Sequence, residues 1–207
     1  MATQATQRKV LAVLAGGLVL GVGTAVTLAA WNDSEFANGT FTAGSFNLQG
    51  STTGDVDAGY ADHASSGAAA TLEFDLPADL VDNMAPGDTV YAPLWLRLAA
   101  GTSTTADLAA TGITAGTGGN EANFSYTISV IGAADTCDDS ATGTVLASGA
   151  DLTALTAGTD AALAIGTPTT DAGAAVQLCF AVTAGAQGDL VQGDSATATW
   201  QFTATSN

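Results

Sequence analysis

The sequence predicts an all-β domain, an antiparallel jelly-roll or β-sandwich with at most one short helix. Three observations carry this expectation. Apolar side chains recur at every second position in several separate runs, as a strand with one buried face requires. Gly, Asp and Thr clusters divide those runs, supplying the turns of a meandering sheet protein. Finally, 47% of the 207 residues are apolar and only 11% charged, a balance that supports a packed core and excludes disorder of the low-hydrophobicity type.

The chain opens on polar residues that end in Arg8-Lys9, followed by an uncharged run from Val10 to Ala30 closing on Leu28-Ala29-Ala30. A basic stretch, an apolar stretch and small residues in that order are the features of an export signal, so residues 1–30 read as a signal peptide cleaved between Ala30 and Trp31. The uncharged run of 21 residues also approaches the length that spans a bilayer, and a retained membrane anchor is the alternative. Both readings export the chain.

Residues 31–40 are polar and poor in packing side chains. From Thr40 onward, Phe41, Phe46 and Leu48 could join a sheet. The following stretch, 49–70, is rich in Gly, Ser, Asp and Ala and reads as a loop. Its Asp55, Asp57, Asp62 and His63 are a candidate metal cluster, but a single histidine without ligand spacing favours a solvated acidic loop.

Period two then dominates. Leu72, Phe74 and Leu76 alternate with Glu73 and Asp75, and Val90, Ala92, Leu94, Leu96 and Leu98 alternate with Tyr91, Pro93, Trp95 and Arg97. Pro93 has no amide to give a ladder, which places it at a sheet edge or a bulge. Between these runs, Met84-Ala85-Pro86-Gly87-Asp88 is a chain reversal. Residues 103–110 suggest another strand and 111–120 a glycine-rich loop. Phe124, Tyr126, Ile128 and Val130 form the clearest alternating run, repeated by Val176, Leu178, Phe180 and Val182 and by Ala196, Ala198, Trp200, Phe202 and Ala204. Residues 148–155, with cap-type residues and the pair Leu152 and Leu155, are the one helical candidate.

Charge restricts the partners. The chain has 20 acidic and 3 basic residues, a net charge of −17, and the bases are Arg8, Lys9 and Arg97. Without the leader only Arg97 remains. Such a chain repels nucleic acid and anionic lipid, so membrane contact is expected only through the leader before cleavage.

Two cysteines, Cys137 and Cys179, on an exported chain predict a disulfide. Neither has an activating base or cation nearby in sequence, which argues against a nucleophile. No serine elbow, phosphate-cradling loop or His/Cys metal spacing occurs. The acidic residues Asp135, Asp138 and Asp139 lack the twelve-residue loop of a calcium hand and read as surface. No cofactor is expected.

The residues carry one resemblance. The leader ending Gly-Thr-Ala-Val-Thr-Leu-Ala-Ala30, the following Trp31-Asn32-Asp33, and then Gly39-Thr40-Phe41-Thr42-Ala43-Gly44-Ser45-Phe46-Asn47-Leu48 resemble the start of TasA/camelysin proteins. Pro86-Gly87-Asp88 is similar to an internal turn of that family. Gln192-Gly193-Asp194 leading into Ala198-Thr199-Trp200-Gln201-Phe202 is similar to its last strand. Residues 104–175 match nothing specific.

The resemblance implies a signal cut by a dedicated signal peptidase and a jelly-roll domain over 41–207. It further implies a secreted subunit that self-assembles head to tail into extracellular, biofilm-matrix fibres. Each subunit would lend the next a donor strand, Trp31-Asn32-Asp33-Ser34-Glu35-Phe36-Ala37-Asn38-Gly39-Thr40, with Trp31 and Phe36 as anchors and Gly39 as hinge. An extended peptide gains main-chain hydrogen bonds on an open sheet edge, which makes such a donation chemically sound. The chain departs from the family's lysine-rich fibre formers in keeping only Arg97. Camelysin-like members also imply a metallopeptidase, a reading the lone His63 does not support. A monomeric cell-surface adhesin using one sheet face is the further alternative.

Overall fold

The computed structural model describes residues 4–26, 35, 37–40, 43–54, 58–74 and 83–207. The leader forms helix α1, Gln4–Val26. Its Val10, Leu11, Val13, Leu14 and Leu18 are exposed, and among the described residues no helix is long and apolar enough to cross a membrane. A separate compact unit spans Ala43–Asn207.

That unit is built of two antiparallel sheets, consistent with a sandwich. Its strands in chain order are β1 (Leu48–Ser51), β2 (Thr89–Leu98), β3 (Ala106–Ala115), β4 (Phe124–Ile131), β5 (Thr144–Gly149), β6 (Thr156–Ala157), β7 (Ala161–Leu163), β8 (Val176–Ala184) and β9 (Ala198–Ser206). One sheet has the order β1-β2-β8-β4-β5-β6 and the other β7-β3-β9. The helical pieces described in this unit are short 3-10 turns at Ser66–Ala68 and Glu121–Asn123.

The predicted alternation becomes burial. Along β2 every second residue from Val90 to Leu98 is buried, and Val90, Leu94, Leu96 and Leu98 join Leu108 of β3, Ile128 of β4 and Phe180 of β8 in one apolar cluster. β8 is the central strand, paired with β2 from Leu96↔Val176 to Thr89↔Thr183 and with β4 from Ile131↔Gln177 to Phe124↔Ala184. Its residues Gln177, Leu178, Cys179 and Phe180 are all buried, because neighbours flank both edges and Cys179 carries the disulfide to Cys137 on the loop after β4. The turn before β2 is as expected. Asp88 accepts from the Ala85 amide at 2.8 Å, and Gly87 takes φ +88°, a conformation that suits glycine.

Several expectations are corrected. The helix over 148–155 is absent: Ser148 and Gly149 end β5, and the chain then turns. The Asp151 carboxylate accepts from the amide and hydroxyl of Thr153 at 2.7 and 2.6 Å, a local bond that competes with helix formation. The Tyr126 hydroxyl donates to the Ala154 carbonyl at 2.9 Å and pins the same turn. Leu72 and Phe74 lie half-buried against the core but in no strand, and Leu76 falls outside the described residues. The supposed loop at 111–115 is the second half of β3, which bulges between Ala110 and Gly112 and pairs with β9 as far as Ala115↔Ala198. In β4 the core position at the end is Ile131, while Val130 is half-buried. β5, β6 and β7 carry too few alternating residues to be seen in the sequence.

Candidate functional site

The candidate catalytic and metal residues are dispersed into structural roles. His63 bonds through Nδ1 to the Ala68 carbonyl at 2.8 Å, and Asp62 accepts from the Asn47 amide at 3.0 Å; Asp55 and Asp57 lie outside the described residues. Asp135 accepts from the Gly132 amide at 3.1 Å. Asp138 accepts from the hydroxyl and amide of Ser140, bonds that hold its carboxyl below the usual range. Among the described residues no three His, Cys, Asp or Glu side chains come together as a metal group. Arg97 places its guanidinium 3.7 Å from the centre of the Tyr60 ring, a cation–π contact within the domain.

What the architecture leaves is edges. Ahead of the domain, Glu35, Ala37, Asn38, Gly39 and Thr40 are exposed and in no strand. Trp31, Asn32, Asp33, Ser34 and Phe36, and with them the Ala30/Trp31 cleavage position, lie outside the described residues. The chain engages its own domain at Ser45: the Ser45 hydroxyl donates to the Gly101 carbonyl, Ser103 donates its amide to Ser45 O at 3.1 Å, and Ala99 donates to Asn47 O at 2.9 Å. β1 then pairs with residues 95–98 of β2.

β1 is itself blunted. Gly50 and Ala61 exchange amide and carbonyl at 3.0 Å each on its outer side. After Ser51 the chain bends away at Gly54, φ +67°, where a Cβ would meet the Trp95 indole at 2.6 Å. Residues 89–94 of β2 therefore have only β8 beside them among the described residues. Pro93 sits in that stretch, so its expected edge position is found. At the other margins β6 has two residues and β7 three. These are the devices by which sheets avoid unwanted pairing: short strands, proline and a covering segment.

Among the described residues β9 has none of them. Its nine residues, ATWQFTATS, contain no charge, proline or glycine, and it pairs with β3 along its whole length on one side, across the bulge at Ala110–Gly112. Ala198, Trp200, Phe202 and Ala204, which pack against the core, remain only half-buried, whereas Ala106 and Leu108 on β3 are fully buried. Phe180 makes edge-on ring contacts to Trp200 and Phe202, with centroids 5.1 and 6.0 Å apart, and so ties the small sheet to the large one.

The start of β9 is held by two residues that the alternation pattern does not mark, Asn120 and Glu121. Asn120 donates its side-chain amide to the carbonyls of Val191 and Asp194 at 2.9 and 2.8 Å and accepts from the Val191 amide at 2.8 Å. The Glu121 carboxylate accepts from the amides of Gly118 and Gly119. The Gly118 amide and the residue's own amide, with further amides at Gly119 and Thr197, hold this carboxyl below its usual range against the opposing cost of burial. The only sequence signal is Gly118-Gly119 ahead of the pair, a loop free to fold its amides around a carboxylate.

No family model and no curated protein matches this chain. Its function is argued from the residues and the geometry.

Proposed function

We propose that the chain is a secreted structural subunit that polymerises head to tail into extracellular, matrix-type fibres, as its resemblance to TasA/camelysin proteins implies, by lending residues 31–40 to the next subunit. The observation that carries this reading is the pairing of two features in one chain: exposed N-terminal residues that precede the domain without a strand partner, and a long strand, β9, with a neighbour on one side only, both among the described residues. Strand addition needs a free extended peptide and an open ladder. The strand order supports a jelly-roll reading too. β2-β8-β4-β5 and β7-β3-β9 correspond to the second, seventh, fourth and fifth and to the sixth, third and eighth strands of an eight-stranded jelly roll. The first strand's place, beside β9, has no strand among the described residues.

The test compares a protein beginning at Trp31 with one beginning at Thr40, by electron microscopy and size exclusion. Filaments from the longer form alone are the expected result. If both stay monomeric in acid and in salt, polymerisation by strand donation is refuted and a monomeric adhesin becomes the leading reading.

A further inference from the structure

We infer that the Asn38 side-chain amide is the acceptor of an N-linked oligosaccharide, and that Asn123, which opens the same kind of triplet, is not. The inference rests on the export part of the reading above and is independent of polymerisation.

The chain contains three Asn-x-Ser/Thr triplets without proline in the middle: Asn32-Asp33-Ser34, Asn38-Gly39-Thr40 and Asn123-Phe124-Ser125. In an exported protein this triplet is the acceptor pattern for N-glycosylation, and its third residue must offer a hydroxyl. The pattern recurs by chance in a chain rich in Ser and Thr, so placement has to decide between the copies. A transferring enzyme draws the triplet into its own cleft. That requires a backbone free of any ladder and an asparagine amide open to solvent. Asn32, Asp33 and Ser34 lie outside the described residues.

Asn38, Gly39 and Thr40 meet both conditions. All three are exposed and none is in a strand, and they precede Ser45, where the chain engages the domain. Glycine in the middle lets the triplet bend into an enzyme cleft. Asn123 fails both conditions. Its side-chain amide donates to Asn120 Oδ1 at 3.2 Å, its backbone amide donates to Asn120 O at 2.8 Å, and its carbonyl accepts from Gly185 at 2.7 Å. Ser125 is held within β4 opposite Thr183 of β8. A sugar on Asn123 would displace the bond to Asn120, the residue that fastens Val191 and Asp194 ahead of β9.

In the transfer, the Asn38 amide nitrogen attacks the anomeric carbon of an oligosaccharide activated as a lipid-linked phosphate ester. The bond from that carbon to the phosphate oxygen breaks and an N-glycosidic bond forms. One amide proton is released, the lipid phosphate leaves, and nothing is oxidised or reduced. Asn38 borders the Gly39 hinge of the lent segment, so residues 31–37 keep an unmodified chain for pairing.

Mass spectrometry of the protein recovered from the surface or medium of the cells that make it tests this. In a chain beginning at Trp31, cleavage after glutamate separates the triplets into peptides 31–35, 36–73 and 122–207. Peptide 36–73 should carry sugar on Asn38 and peptide 122–207 none. The sugar should persist in Thr40→Ser and be lost in both Asn38→Gln and Thr40→Ala. Thr40→Ala keeps the asparagine, so loss there marks enzymatic recognition of the triplet rather than spontaneous chemistry at Asn38. An unmodified peptide 36–73 in exported protein, or sugar on peptide 122–207, would overturn the assignment while leaving the export and fibre readings intact. Protein found only inside the cell refutes export and the inference with it.

Discussion

At the scale of single residues, Glu121 and Phe180 fix β9 from opposite directions. Glu121 gathers the Gly118 and Gly119 amides of its own loop and an amide at Thr197 just ahead of β9, and its depressed pKa sets the sign of a pH effect. A carboxyl lowered on folding contributes stability above the ordinary glutamate range, and that contribution is lost as pH falls through the lowered value. Thermal melts should show the gap between the parent and Glu121→Gln closing on acidification; a gap independent of pH would mean the carboxylate's charge plays no part. Phe180 is fully buried and touches both aromatic rings of β9. Phe180→Ala should cost about 3–5 kcal/mol in denaturant unfolding, and a cost below about 1 kcal/mol would mean the two sheets are joined elsewhere. Neither role is visible in the pattern alone. Phe180 reads there as one core residue among many, and Glu121 as one of twenty acids.

Among the elements, the disulfide and the edge strands matter most. Cys137–Cys179 closes a separation of 42 residues and fastens the loop after β4 onto the central strand. By the chain-entropy estimate it stabilises the domain by about 4 kcal/mol, so the Cys137→Ser/Cys179→Ser double variant should unfold at markedly lower denaturant, checked by matched equilibrium titrations. The pairing itself was legible from two cysteines on a chain whose sequence reads as exported. The strands β2, β4, β8 and β9 were equally legible, since in each the sequence alternates over seven residues or more. The short strands β5, β6 and β7 were hidden because two to six residues cannot establish a period. The turn at 150–153 was misread as helix because Leu152 and Leu155 share a helical spacing, while the competing Asp151–Thr153 bonds leave no periodic trace.

For the whole molecule, charge sets the conditions under which the proposed assembly is expected. In the proposed fibre, subunits beginning at Trp31 would carry 20 acidic side chains against the single base Arg97 and repel one another, and screening or protonation would reduce that cost. Pelleting across salt and pH should show assembly strengthening with added salt and in mild acid; assembly that weakens with salt would instead indicate attraction between charged surfaces. The sequence by itself determined the β class, the long strands, the turn at Gly87 and the cysteine pair, because each rests on local alternation, turn chemistry or composition. Only the tertiary structure decided which strands are neighbours, that Ala61 and Pro93 blunt one margin of the large sheet, and that β9, at a margin of the small sheet, has a strand on one side only among the described residues. Those outcomes depend on pairings between residues as distant as Ala106 and Ser206, and no local pattern records which partner a strand has, or which side of it has none.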